Sequence, residues 1–291
     1  MTQTPTESAA RRAYETLEPL HVLAYFNPGL GAAYQQTGLD PHAFYVGARA
    51  APLGACVPAV VTAAFVNFSP ELVDAAWPQA LSCGLERVSQ ARDAMLDEQL
   101  RTILGARVDD PEIAKAAATL RAAAADLPFS GRPLAAAWAA SPAPQAPHLA
   151  LWHALAVLRE WRGDNHIAVL VVHGLGGLDA AVFHEAQLPD PTIRRRVMGR
   201  RLVLLTRGYQ DEDWEASLAR LIERGLAERT DNGHRLTAAG AAMYDDIEAT
   251  TDALGEQVWS RPEMVETVTA LRPYVKMIID AGVLPGTKKR S

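Results

Sequence analysis

Two blocks of this chain recur in the same order at almost the same spacing, and that recurrence limits the available folds more than any other feature. Gly38-Leu39-Asp40 followed by Phe44 matches Gly177-Leu178-Asp179 followed by Phe183, an offset of 139 residues from 38 to 177. Phe68 to Leu85 lines up with Tyr209 to Leu226, with Gly84 and Gly225 offset by 141. In a chain of 291 residues this predicts two copies of one module. Alanine is frequent in both, so the copies are expected to be helical. Pro128, Pro133, Pro142, Pro144 and Pro147 crowd the stretch between them. The predicted organisation is a helical module over 1–126, a proline-rich linker over 127–147 and a second module over 148–291.

Capping signals place many of the helices. Asp40-Pro41, Ser69-Pro70 and Asp110-Pro111 each read as an N-cap followed by a first-turn proline. Apolar spacing predicts helices near 7–25, 86–104, 149–161, 165–173, 211–224, 237–254 and 262–281. Arg162-Gly163-Asp164-Asn165-His166 is read as the joint between two of them, with Asp164 as a cap.

The second copy carries the sharpest pattern. Trp214 to Glu223 reads as an amphipathic helix stopped by Gly225. Leu226 to Thr230 reads as a strand, Asp231-Asn232-Gly233 as a hairpin turn and His234-Arg235-Leu236 as the return. Leu236-Thr237-Ala-Ala-Gly240 then opens another helix. Helix, Arg-Gly-Leu, hairpin, Leu-Thr-x-x-Gly and helix resemble the C-terminal half of the DNA-binding domain of multiple-antibiotic-resistance-type regulators. The resemblance implies a winged helix with a short β-hairpin wing. No wing pattern follows Gly84, so the first copy is expected to be a degenerate one. The predicted fold class is mainly α, with tandem winged-helix-like modules.

Tyr45 to Gly54, Leu158 to His166, Arg207 to Trp214 and Ile247 to Asp252 together are similar to an actinobacterial family of helix-turn-helix-like proteins. That likeness implies a regulator and no settled reaction. The arginine-rich stretch Arg194 to Arg201 departs from the pattern.

The net charge is −6, which excludes a globally basic binder of nucleic acid. Positive charge is nevertheless concentrated locally. Arg194, Arg195 and Arg196 precede the expected recognition helix, Arg220 and Arg224 lie on it, and Arg229 and Arg235 lie on the wing. These are the candidate contacts to double-stranded DNA. Asp211, Glu212, Asp213, Glu215, Glu223 and Glu228 are interleaved with them, so a solvated charged face is the alternative. Tyr45, Arg49, Arg162, Asp164, His166 and Trp214 are the candidate ligand-binding residues. Arg49 sits in an apolar stretch and needs either an internal carboxylate or an anionic ligand. Asp164 beside His166 could serve as a base pair of groups, or simply cap a helix.

His166 and His173, seven positions apart, share a helical face without a carboxylate at ligand spacing, so no metal is expected. No cofactor is expected either, for want of a phosphate-binding loop or nucleophile motif. Cys56 and Cys83 have no pairing pattern and are expected to be buried thiols. No apolar run reaches bilayer length and no leader is recognisable, so a cytoplasmic protein is expected. The leading expectation is a ligand-responsive DNA-binding regulator acting as a homodimer. The alternatives are a small-molecule-binding protein or cofactor-free enzyme with a pocket between the copies, and a protein-interaction module.

Overall fold

A computed structural model describes residues 7–193, 195 and 197–289 of the chain. It is mainly helical, with fourteen α-helices and one two-stranded antiparallel sheet among the described residues. The chain divides into two compact units that are interleaved in sequence. The first draws on 1–55, 79–164 and 252–291, the second on 56–78 and 165–251. The sequence places a boundary at 127–147, and those residues lie inside the first unit.

In the first unit, α1 (Ala9–Val22), α2 (Leu30–Thr37) and α3 (Pro41–Ala50) begin the chain. The caps act as their chemistry predicts. Ser8 Oγ accepts from Arg11 N–H at 3.0 Å, and Asp40 Oδ1 accepts from Ala43 N–H at 2.9 Å. Pro58 opens α4 (Pro58–Phe65) and Pro70 opens α5 (Pro70–Cys83). After α6 (Leu85–Leu104) and α7 (Pro111–Ala125), the expected linker is ordered. It contains α8 (Pro133–Ala140), whose Leu134, Ala135 and Trp138 are buried. Indole N–H groups tie the region to neighbouring backbone: Trp138 donates to Arg49 O in α3, Trp152 to His21 O in α1 and Trp161 to Pro128 O. The prolines therefore shape a packed segment instead of a free tether.

The expected break at 162–166 is absent. A single helix, α9, runs from Pro147 to Val172 over 26 residues. Gly163 weakens a helix by only about 1 kcal/mol, and no proline interrupts this one. Asp164 cannot cap a helix it lies within. Its Oδ2 accepts from Ala135 N–H at 2.9 Å, so it caps α8 from across the fold. Cys56 and Cys83 are half-buried, with Cys83 Sγ donating to Thr37 O.

The second unit holds α10 (Gly177–Glu185), α11 (Arg200–Arg207) and α12 (Asp211–Glu223). Strands β1 (Ala227–Thr230) and β2 (Gly233–Leu236) follow, paired with Glu228 opposite Arg235 and Arg229 opposite His234. Then come α13 (Ala238–Trp259), which runs on into the first unit, and finally α14 (Pro262–Asp280), which packs on α1. Phe183, Leu204, Trp214, Leu221, Leu236 and Ile247 belong to the core of the second unit. Helix α12, the β1–β2 hairpin and helix α13 follow one another in the order the sequence pattern predicts. Helix α11 was not foreseen, because its charged start hides Val203 and Leu204, the two residues it buries. No single described helix is long and apolar enough to cross a membrane.

Candidate nucleic-acid interface

The turn between α11 and α12 is made by Gly208, with φ of +75°. A Cβ there would lie 2.6 Å from Leu72 and 2.9 Å from Ser69 Oγ, so both conformation and space call for glycine. Ser69 N–H donates to Arg207 O at 2.8 Å, which ties the turn to the loop before α5. Helix α12 starts with Asp213 Oδ2 accepting from Gln210 N–H at 2.8 Å. Its Trp214, Leu218 and Leu221 are buried, which turns Arg220 outward.

The wing is anchored at its base. His234 Nε2–H donates to Val182 O at 2.7 Å, and burial lowers the pKa of this imidazole. Gln187 pairs with the outer edge of β2: its N–H donates to His234 O, and its carbonyl accepts from Leu236 N–H. The start of α13 is crowded against the wing. A Cβ on Gly240 would lie 1.9 Å from Leu226 O, which also accepts from Thr237 N–H. That contact gives the Leu-Thr-x-x-Gly pattern its physical meaning.

The candidate DNA contacts divide into three kinds. Arg194 and Arg196 lie outside the described residues. Arg195 donates to His184 O and Ala186 O and stacks 3.9 Å over Tyr244, so it serves structure. Arg224 likewise donates to Gly174 O and His173 O, both at 2.8 Å. The remaining three keep more than a third of their side chains exposed while pairing with acids. Arg220 meets Asp179 at 2.5 Å, Arg229 meets Glu215 at 2.7 Å and Arg235 meets Glu228 at 2.5 Å. Asp179 was not foreseen as a partner; its place one turn into α10 aims it at α12. Arg200, from the arginine-rich stretch, bridges Asp211 and Glu215.

The candidate ligand residues divide between the two units. Arg49, with 13% of its side chain exposed, gives a two-pronged bond to Glu160, with Nε–Oε1 and Nη2–Oε2 both 2.8 Å. The internal carboxylate is therefore the partner this arginine needed. Tyr45 packs its ring 5.0 Å from that of Tyr25. Arg162 bonds Asp252 at 3.1 Å and lies 4.1 Å over the Tyr14 ring. These three and Asp164 belong to the first unit, whereas His166 and Trp214 belong to the second. Trp214 is a core residue set edge-on to His234. His166 bonds Thr251 and faces His184, so it is not paired with Asp164.

Burial raises the Asp164 carboxyl to about 6; the amide of Ala135 opposes this and nearby Glu160 adds to it. An acid raised above its ordinary 3.8 stabilises the fold most when protonated, and loses that contribution as pH rises through about 6. Asp164→Asn keeps an acceptor for Ala135 and carries no charge. Its urea midpoint is expected to match or exceed wild type at pH 7.5. It should also lack the fall that Asp164 imposes on wild type between pH 4 and 6.

A profile of a helix-turn-helix family matches residues 10–285. No curated protein and no solved structure matches the chain. With nearly its whole length matched, the chain belongs to this helix-turn-helix family.

Proposed function

We propose that this protein is a ligand-responsive, DNA-binding transcriptional regulator, with α12 entering the major groove and the wing following the phosphate backbone. Membership of a helix-turn-helix family suggests DNA binding in general. The observation that carries the proposal is the α11–Gly208–α12 turn followed directly by a wing, with Arg220, Arg229 and Arg235 exposed along them. Their acidic partners weigh little against it. Exposed ion pairs contribute about 0–1 kcal/mol each, so exchanging a carboxylate for a phosphate costs little. The acidic first turn of α12 favours base contacts from its later turns.

One wing reads one half-site, so the protein would act as a homodimer in the cytoplasm with its two α12 helices about 34 Å apart. The two halves are proposed as copies of one module. Asp40 bonds Gln79 at 3.3 Å, and at the matching positions Asp179 bonds Arg220. For the ligand, a cleft of about 340 Å³ in the first unit, lined in part by Arg92, Trp138, Ser141 and His153, suits a small aromatic or polar molecule. The enzyme reading loses its main support once Arg49 is satisfied by Glu160.

The test is a gel shift with random genomic duplex across a salt series. Wild type is expected to bind with strong salt dependence. Arg220→Ala/Arg229→Ala should lower the log–log slope by about 2, close to 0.9 per lost phosphate contact. Arg224 is left intact because its carbonyl bonds serve the fold. Absence of binding by wild type at low salt overturns the proposal.

A further inference from the structure

We infer that His166, His184 and Glu248 form a binding site for one divalent transition-metal ion, with zinc the ion best matched to the donors. The three residues come from α9, α10 and α13, and each is half-buried. Their ligand atoms all lie within 4.8 Å of one another. Sequence spacing gave no hint of this: His173, which shares a helical face with His166, turns instead to Asp246 and Val169 O. The carboxylate judged missing from the sequence arrives on α13.

Two features favour an ion over a chance cluster. The first is the bite. His166 Nε2 and His184 Nε2 face each other at 3.2 Å. Two nitrogens bound at about 2.0–2.1 Å to a tetrahedral zinc are about 3.3–3.4 Å apart, so the pair is already set for chelation.

The second feature is the tautomer of His166. Thr251 is 1% exposed, and its hydroxyl donates to Ile247 O at 2.7 Å. That hydroxyl has only lone pairs left for His166 Nδ1, 3.0 Å away. The Nδ1–H must therefore donate to Thr251, which leaves the lone pair of the neutral ring on Nε2, aimed into the cluster. Ligating histidines are held in this way, with the second ring nitrogen tied to an outer partner.

Arg195 braces the end of α10 that carries His184 by donating to the main-chain oxygens of His184 and Ala186. Two neutral imidazoles and one carboxylate supply three donors with a single negative charge. That is the donor set of zinc sites that keep a fourth position open for water or a ligand. Without an ion, one proton shared between the two Nε2 atoms holds the same geometry, and metal binding releases that proton to solvent. The assignment stands whether or not the second unit engages DNA.

The experiment uses untagged full chain, stripped with chelator and titrated with Zn²⁺ by calorimetry and with Co²⁺ by visible absorption. One ion per chain and the intense ligand-field bands of four-coordinate cobalt are expected. His184→Ala and Glu248→Gln should each weaken binding by at least about 10-fold, while His173→Ala leaves it unchanged. Thr251→Val, which removes the outer acceptor, should weaken it by about 10–100-fold. If His184→Ala fails to fold, the wild-type cobalt spectrum decides, since weak six-coordinate bands would overturn the site. Lack of stoichiometric uptake by wild type, or equal affinity in folded His166→Ala/His184→Ala, would overturn it as well.

Discussion

Glu160→Gln is expected to cost about 3–5 kcal/mol of stability, because it leaves the largely enclosed Arg49 guanidinium facing a neutral amide. Glu160 is 1% exposed. Both its oxygens bond Arg49, and Arg159 lies 4.0 Å from one of them. Burial by itself would raise this carboxyl. Arg49, through charge and hydrogen bonds, and then Arg159 overcome that and hold it at about 2. The linkage follows from this direction. An acid held below its ordinary 4.5 contributes its stability above that pH, and loses it as pH falls toward about 2. Urea midpoints of wild type and Glu160→Gln should therefore differ widely at pH 7 and converge between pH 4.5 and 2. The double change Arg49→Met/Glu160→Leu should recover much of the loss, since an apolar pair of similar volume often replaces a buried ion pair at no net cost. Equal midpoints for wild type and Glu160→Gln at pH 7 would mean the pair is not the buried contact described.

The second large effect is expected at Gly240. Alanine there would bring Cβ to 1.9 Å from Leu226 O, a backbone atom held in place by Thr237 N–H. No side-chain rearrangement can relieve this, so the end of α12 and the start of α13 must separate. Overpacking typically costs about 1–3 kcal/mol, and a backbone clash this close belongs at or beyond the upper end. Thermal melts followed by circular dichroism should show a loss of that size. Amide exchange should localise it to β1, β2 and the first turns of α13. Gly225→Ala is the comparison: it has φ of +69° but no neighbour within 4 Å, so strain of about 1 kcal/mol is expected there. If Gly240→Ala is as stable as wild type, the close approach does not exist.

The parts of the fold that were legible in the sequence are those governed by neighbours along the chain. Ser69-Pro70 and Asp40-Pro41 start helices because cap and proline act locally. Asp231-Asn232-Gly233 turns the wing for the same reason. At Asp110-Pro111 the proline starts the helix, whereas the Asp110 carboxylate turns to Arg107 and Tyr274 instead of capping it. What stayed hidden depends on distant partners. Asp164 looked like a local cap and in fact caps α8, 29 residues earlier. Glu160 carried no signal beside Arg159 and Trp161, yet it satisfies Arg49 from 111 positions away. The arginines of the expected interface were visible as a cluster. The division between Arg195 and Arg224, spent on carbonyls, and Arg220, Arg229 and Arg235, facing outward, was not. His184 and Glu248 meet His166 only because three helices converge, which no spacing rule along one helix can show.

The interleaving of the two units has a consequence for how the chain comes to be made. Helix α1 packs on α14, and the backbone amides of Ala9 and Ala10 are received by the carboxylate of Glu256. Helix α1 must therefore wait for residues made 246 positions later before its first turn and its apolar face are covered. The second unit, closed at residue 251, has all its segments earlier. Domains usually mature in the order of their synthesis. Here the order is reversed: the unit bearing the wing can finish first, and the unit holding α1 stays open until α14 has been made.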